Sequence, residues 1–338
     1  MSRTTVSKSA VYDLAKVVTT VLVVFAHAAL MYTPDGVYTP IVSSGLVAGM
    51  SQFIYAFHMA FFIFLSGCVY GCCLEQGKYQ NSLAFIRGKA KKLLIPYVAF
   101  GAAYVAPVIL LLRLTNQSYF EYVLEAILFS LNPRHLWYIF TLFWIFVLTI
   151  PMKRILRAGT PRYAVMLAVS GILYVCERWM PHHFQLDSTM TYQLYFFLGV
   201  AFNGLYDRFD RTSAGLKLGV FACAFLVVLS IVFPGMIFLP RMIRRMTGCA
   251  MMVVLMWAVL RFFPGIAENR VYRLIRKNSF GIYLFHPMII YWMFSRLYAL
   301  DVMPMVLVLA VSAAALVLSI GGTELLRKLR LQILIGER

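Results

Sequence analysis

The sequence predicts an all-α integral membrane protein, a polytopic bundle of about ten transmembrane helices with both termini cytoplasmic. Three observations carry this prediction. Apolar residues make up 62% of the chain and charged residues only 13%, against roughly 45–50% and about 25% in soluble domains. The apolar residues form windows of spanning length, about 17–24 residues, from one end of the chain to the other. The Lys and Arg residues gather in alternate connections between those windows, as cytoplasmic loops require.

The windows are 14–33, 51–74, 93–112, 135–151, 163–180, 191–206, 217–233, 248–264, 279–298 and 304–322. The first follows a polar, basic N-terminus and lacks a small-residue cleavage site, so it reads as a first span and not as a removed signal peptide. The stretch after Thr115, NQSYFEYVLEAILFSLNP, is too polar at its start for a clean span and reads as an interfacial or re-entrant helix. With no soluble attachment between windows, residues 1–338 form a single transmembrane domain, expected in a bacterial-type plasma or inner membrane.

Orientation follows from the loops. Arg3, Lys8, Lys16, the group from Lys78 to Lys92, Lys153, Arg154, Arg157, Arg162, Arg208, Arg211, Lys217, the group from Arg261 to Lys277, and Arg327 to Arg338 fall on one side. That side holds 24 of the 31 basic residues. The other holds Arg113, Arg134, Arg178, Arg241, Arg244, Arg245 and Arg296. A net charge of +18 is therefore a positive-inside signal, with contacts to membrane lipids, and not a sign of nucleic-acid binding. The six cysteines, Cys68, Cys72, Cys73, Cys176, Cys223 and Cys249, lie in or beside apolar runs without metal-ligand spacing, and read as packing residues.

Ionisable groups inside spans are costly and mark function by default. His27 lies eleven positions after Lys16, about 16 Å along a helix, and so near the midplane. His58 lies seven residues below Ser51 on the next, oppositely directed span, about 10 Å from its outer end. The two imidazoles thus share a depth, which suits acid–base chemistry because neutral imidazole tolerates burial and still accepts a proton. A satisfied structural histidine and a haem ligand are the competing readings for either residue.

Four further groups of residues invite a function. Arg87, Lys89, Lys91 and Lys92 form a basic loop fit for phosphates or for anionic lipid. His135, with Arg134, Trp137 and Tyr138, reads as an outer-interface belt whose aromatic faces can also stack on a sugar. Arg241, Arg244 and Arg245 interrupt the charge asymmetry on the outer side, as snorkelling residues or as a site for an anionic acceptor or lipid phosphate. His286 lies about 10 Å into the ninth span, beside Pro287, which loosens the helix and frees a carbonyl. Glu177 and Arg178 can pair with each other or with acceptor, and His182 and His183 read as solvated loop residues.

Together these segments resemble the acyltransferase 3 family of membrane O-acyltransferases, over most of the chain. The family's first span opens with an acidic residue, a basic residue, ten others and a histidine, matched by Asp13, Lys16 and His27. Lys16 stands where the family usually has Arg, which keeps the charge but loses bidentate phosphate geometry. Phe57, His58, Met59, Ala60, Phe61 and Phe62, then Ser66 and Gly67, resemble the second signature. There Ala60 replaces the usual Pro, and a straighter helix is expected. The run from Lys91 to Tyr97, the segment Leu136 to Tyr138, and the segment from Ser279 to His286 complete the likeness.

The resemblance implies an acetyl-CoA or other acyl-CoA donor from the cytoplasm and an acceptor hydroxyl on a surface or lipid-linked saccharide. On this reading catalysis falls to His27 and His58, donor binding to Lys16, Arg87, Lys89, Lys91 and Lys92, and acceptor contacts to Asp13, Arg134, His135, Trp137, Tyr138, Arg241, Arg244, Arg245 and His286. No metal is expected. A proton-coupled secondary transporter or flippase is the alternative, since intramembrane histidines serve transport equally well.

Overall fold

The computed structural model describes residues 6–156, 160–232 and 240–337. Arg3, Arg157 and Arg338 lie outside the described residues, as do the side chains of Arg154 and Arg162. Among the described residues the chain is all helical. The principal helices are α1 (Lys8–Ala29), α2 (Gly45–Tyr55), α3 (His58–Glu75), α4 (Ser82–Phe100), α5 (Ala106–Leu111), α6 (Tyr119–Tyr122), α7 (Trp137–Leu156), α8 (Thr160–Val175), α9 (Leu186–Arg211), α10 (Ala214–Leu229), α11 (Arg241–Phe262), α12 (Arg270–Leu297) and α13 (Pro304–Lys328).

Each of the ten apolar windows falls on one or more of these helices. Among the described residues six segments are long and apolar enough to cross a membrane: Lys8–Tyr32, Gly45–Glu75, Ser82–Leu111, Arg134–Lys153, Arg241–Phe262 and Pro304–Lys328. The helices under the other four windows fall short for plain reasons. Helices α8 and α10 have 16 residues each, and α9 and α12 carry charged or polar side chains along much of their length.

Helix α1 is buried along much of its length and occupies the middle of the bundle, against α2, α3, α11, α12 and α13. That position makes His27 central. Helices α3 and α9 approach through a reciprocal pair of glycines. A Cβ on Gly67 would lie 1.9 Å from the Phe196 carbonyl oxygen, and one on Gly199 would lie 2.0 Å from that of Phe64. Small residues permit such backbone contact, and with it the van der Waals packing that holds helices together in lipid.

The second span is broken, contrary to the straighter helix expected from Ala60. Helix α2 ends at Tyr55, and Phe57 adopts φ −140°, ψ −23° before α3 begins at His58. Gly248 of α11 seats against this break, since a Cβ there would lie 2.2 Å from the Phe57 Cβ. The break at Ala56 and Phe57 therefore forms without a proline at position 60.

The segment after Thr115 forms α6 and a wide turn, Val123–Leu128. Ser118 and Glu121 close a capping box at its start. The Ser118 backbone N–H holds the Glu121 carboxyl below the usual carboxylate range. Tyr97 of α4 donates to the Ile127 carbonyl, 2.7 Å away, which docks the turn on the bundle.

Ion pairs gather several helix ends together. Lys8 pairs with Glu75 at 2.6 Å, Asp13 with Arg276 at 2.7 Å and Lys277 with Glu324 at 2.8 Å. Lys153 donates to the Gln80 carbonyl at 2.6 Å, and Gly336 packs against the Lys92 carbonyl. The start of α1, the ends of α3, α7 and α13, the starts of α4 and α12, and the C-terminal residues therefore share one end of the bundle, called the basic end below.

Candidate active site

A cavity of about 560 Å³ runs through the bundle from the basic end, within the range of small-molecule sites. Asp13, Lys16, Lys89 and Lys92 line one end, and Trp137, Tyr192 and Arg245 line the other. His27, His58, His135 and His286 line the stretch between. Four histidines from α1, α3, the turn before α7 and α12 thus face one space.

Local hydrogen bonds set the imidazole tautomers. Nδ1 of His27 lies 2.9 Å from the Val23 carbonyl, Nδ1 of His58 lies 3.0 Å from that of Ile54, and Nδ1 of His286 lies 2.7 Å from that of Ile282. A carbonyl only accepts, so Nδ1 carries the proton in each neutral ring and Nε2 keeps a lone pair. Nε2 of His286 lies 3.4 Å from Nδ1 of His27 and is a second acceptor for the same N–H. His27 is left with a free Nε2 lone pair, held in orientation from behind, as a general base needs. The Tyr55 ring stands between the two histidines singled out by depth, 5.8 Å from the His27 ring and 4.7 Å from the His58 ring between centroids. Among the described residues, no three of His, Cys, Asp and Glu are grouped so as to hold a metal ion.

His135 is a correction. It is buried and turned inward, with Nε2 donating to the Leu284 carbonyl at 3.2 Å, and does not sit in an outer belt. The cause is local. The turn Arg134–Leu136 starts with Arg134 at φ 52°, which redirects the chain so that the ring enters the bundle. Helix α12 supplies the acceptor from the other side. The carbonyls of Ile282, Leu284 and Phe285 there accept from His286, His135 and Tyr104. Tyr283 donates to the His135 carbonyl, and Tyr138 lies 3.4 Å from the Ser66 hydroxyl. Both tyrosines line the cavity.

At the basic end, Lys16, Lys89 and Lys92 line the cavity, whereas Arg87 and Lys91 do not. Lys89 sits 3.8 Å above the Phe146 ring centroid, and the ring face partly offsets the cost of placing that charge inside. Asp13, expected among the acceptor contacts, belongs to this end. It lies one helical turn before Lys16, so it cannot reach the far end, and it pairs with Arg276.

At the far end the cavity meets a polar chamber of about 390 Å³, with Trp137, Tyr192 and Arg245 common to both. Arg134 and Arg241 line this chamber and Arg244 does not. The Arg245 guanidinium lies 4.9 Å from the Tyr192 ring centroid. Glu177 and Asp187 also line it. His182 and His183 are exposed, as expected, and Nδ1 of His182 lies 2.7 Å from Asp187 Oδ2.

Sequence reasoning gave no role at the site to Tyr55, Ser66, Tyr192, Tyr283 or Arg276. Tyr55 had a signal, at three residues before His58, but the helix break that aims both rings did not show in the pattern. Arg276 had none, since its partner Asp13 is far away in sequence.

A helical bundle with six segments of membrane-spanning length among the described residues thus encloses a cavity that is basic at one end and histidine-lined within. The acyltransferase-domain model of the acyltransferase 3 family matches residues 10–324, nearly the whole chain, and the chain belongs to that family of membrane acyltransferases. No curated protein and no solved structure matches it.

Proposed function

We propose that this chain is a membrane O-acyltransferase that moves an acetyl or other acyl group from cytoplasmic acyl-CoA to a hydroxyl of a surface or lipid-linked saccharide. One observation carries the reading: a single cavity joins Lys16, Lys89 and Lys92 to His27 and continues to Trp137, Tyr192 and Arg245. The chain then works as one ten-span domain in a plasma or inner membrane, with its basic end and both termini in the cytoplasm.

The lysines hold the phosphates of the donor, and the pantetheine arm reaches inward. Nε2 of His27 takes the proton of the acceptor hydroxyl as its oxygen attacks the thioester carbonyl carbon. The new C–O bond forms, the C–S bond breaks, and the thiolate leaves with the proton from His27. His58 and His286 orient the base and stabilise charge around it, and the hydroxyls of Tyr138 and Tyr283 lie on the same wall.

The test is thiol release from acetyl-CoA by purified protein, with and without a crude saccharide extract, beside His27→Ala at matched expression. Saccharide-stimulated release that depends on His27 supports the reading. Wild-type transfer by His27→Ala removes His27 from the mechanism. Absence of both release and acetyl-CoA binding favours proton-coupled transport.

A further inference from the structure

The chamber beyond Arg245 has a chemistry of its own. Its wall carries the guanidiniums of Arg134, Arg241 and Arg245 and the carboxylates of Glu177 and Asp187. Three positive charges face two negative ones, which leaves one positive charge over. The carboxylates are also not simply salt-bridge partners of the arginines. Asp187 Oδ2 is taken by His182, and its Oδ1 is buried and has no hydrogen-bond partner. Arg134 makes a 3.4 Å contact from Nη2 to the Leu114 carbonyl and lies beside the Tyr122 phenol, while its Nε is buried without a hydrogen-bond partner. A buried acceptor and a buried donor without partners are costly, and a ligand that satisfies them recovers that cost.

The chamber also offers flat surfaces. The Trp137 and Tyr192 rings lie 5.0 Å apart between centroids, tilted by 43°, and both line the chamber and the histidine cavity. A sugar ring presents apolar C–H faces that pack on aromatic rings, with a rim of hydroxyls that donate to carboxylates. A lipid phosphate alone would use the arginines but neither the carboxylates nor the rings.

We infer that this chamber is an acceptor subsite for a sugar unit bearing one anionic substituent, a carboxylate or a phosphate monoester. The anion is held by Arg134, Arg241 and Arg245, the hydroxyl rim by Asp187 and Glu177, and the ring face by Trp137 and Tyr192. This rests on the acyltransferase reading for the fate of the sugar, but not for its binding. Arg245 and Tyr192 stand at the junction, so a sugar bound here presents its next hydroxyl toward the histidines.

The experiment measures binding without acyl-CoA, so failure of acyl transfer and failure of this subsite are told apart. Full-length protein in detergent is titrated with a glucuronate-ended disaccharide, the glucose-ended disaccharide of the same linkage, and glucose 6-phosphate. The subsite predicts at least tenfold tighter binding of one anionic sugar than of the neutral disaccharide. The charged sugar that binds tighter identifies the substituent as carboxylate or phosphate. The advantage should vanish in Arg241→Gln, and in Arg134→Gln should that variant prove the better folded, while inorganic phosphate alone binds weakly. Equal binding of charged and neutral sugars overturns the inference, as does equal binding of inorganic phosphate and glucose 6-phosphate.

Discussion

Nε2 of His286 lies 3.4 Å from Nδ1 of His27, with the two rings edge to face at 83°. The contact joins α1 to α12. It gives the Nδ1 proton of His27 an acceptor beyond its own helix, so the base is oriented by a residue that need not touch substrate. Replacing His27 by Gln should lower acyl transfer about 10²–10⁴-fold, the usual worth of a general base. His286→Ala should cost less and shift the pH–rate profile, because it alters the base and not the reacting atoms. His286→Gln offers an amide oxygen as acceptor and should recover part of the loss. A flat response to both His286 substitutions would assign the contact to packing alone.

Lys16 tests the donor end. A charge-assisted contact to phosphate is worth about 1.5–3 kcal/mol, so Lys16→Ala should raise the KM for acyl-CoA about 10–100-fold with a smaller effect on kcat. Added salt should weaken the wild type toward the variant, since the mouth is open to solvent. Lys16→Arg should match or exceed the wild type, because the guanidinium adds bidentate geometry. A fall in kcat at unchanged KM in Lys16→Ala would place this lysine in chemistry and not in binding.

The reciprocal glycines of α3 and α9 make a prediction about stability. A valine at Gly199 would set its Cβ about 2.0 Å from the Phe64 carbonyl, against backbone that cannot step aside. Overpacking typically costs about 1–3 kcal/mol and sometimes more, so Gly199→Val should melt lower in detergent and express poorly. Gly219 on α10 has nothing within 4 Å of its would-be Cβ, so Gly219→Ala is the matched control and should melt as the wild type. A stable Gly199→Val would mean that the two helices can separate without loss.

The helices were legible because a bilayer leaves the backbone few options, and apolar windows of spanning length declare themselves. His27 and His58 were legible for the same reason, as expensive groups in lipid. Depth counted along two antiparallel helices brought them to one level, and both line the cavity. What the sequence withheld depends on contacts between distant segments. The inward turn of His135 depends on Arg134 taking φ 52° and on the Leu284 carbonyl of another helix. Asp13 sits one turn from Lys16, yet only its bond to Arg276 shows that it serves the basic end. Charge counting grouped Arg241, Arg244 and Arg245, and only the helical turn of α11 separates Arg244 from the chamber.

The C-terminal residues connect pH to the basic mouth. Hydrogen bonds from Arg327 to Glu337, 2.8 Å from Nε, hold the Glu337 carboxyl below its usual range. Gly336, at φ 69°, packs so closely on the Lys92 carbonyl that a Cβ would lie 2.6 Å from it. The strap Gln332–Ile335, with Ile335 buried, thereby braces the helix that carries Lys92. A lowered folded pKa contributes stability that is complete above the unfolded value, about 4.3 for Glu, and is lost as pH falls through the folded value. Corrected hydrogen-exchange rates across the strap should therefore be low and constant above about pH 5 and rise below about pH 4. Glu337→Gln should exchange faster at neutral pH and lose that acid step. Because the strap backs Lys92, the same variant should raise the KM for acyl-CoA while leaving kcat near the wild type. Acid-independent exchange in the wild type would show that the apolar seat of Ile335, and not the Arg327–Glu337 pair, holds the strap in place.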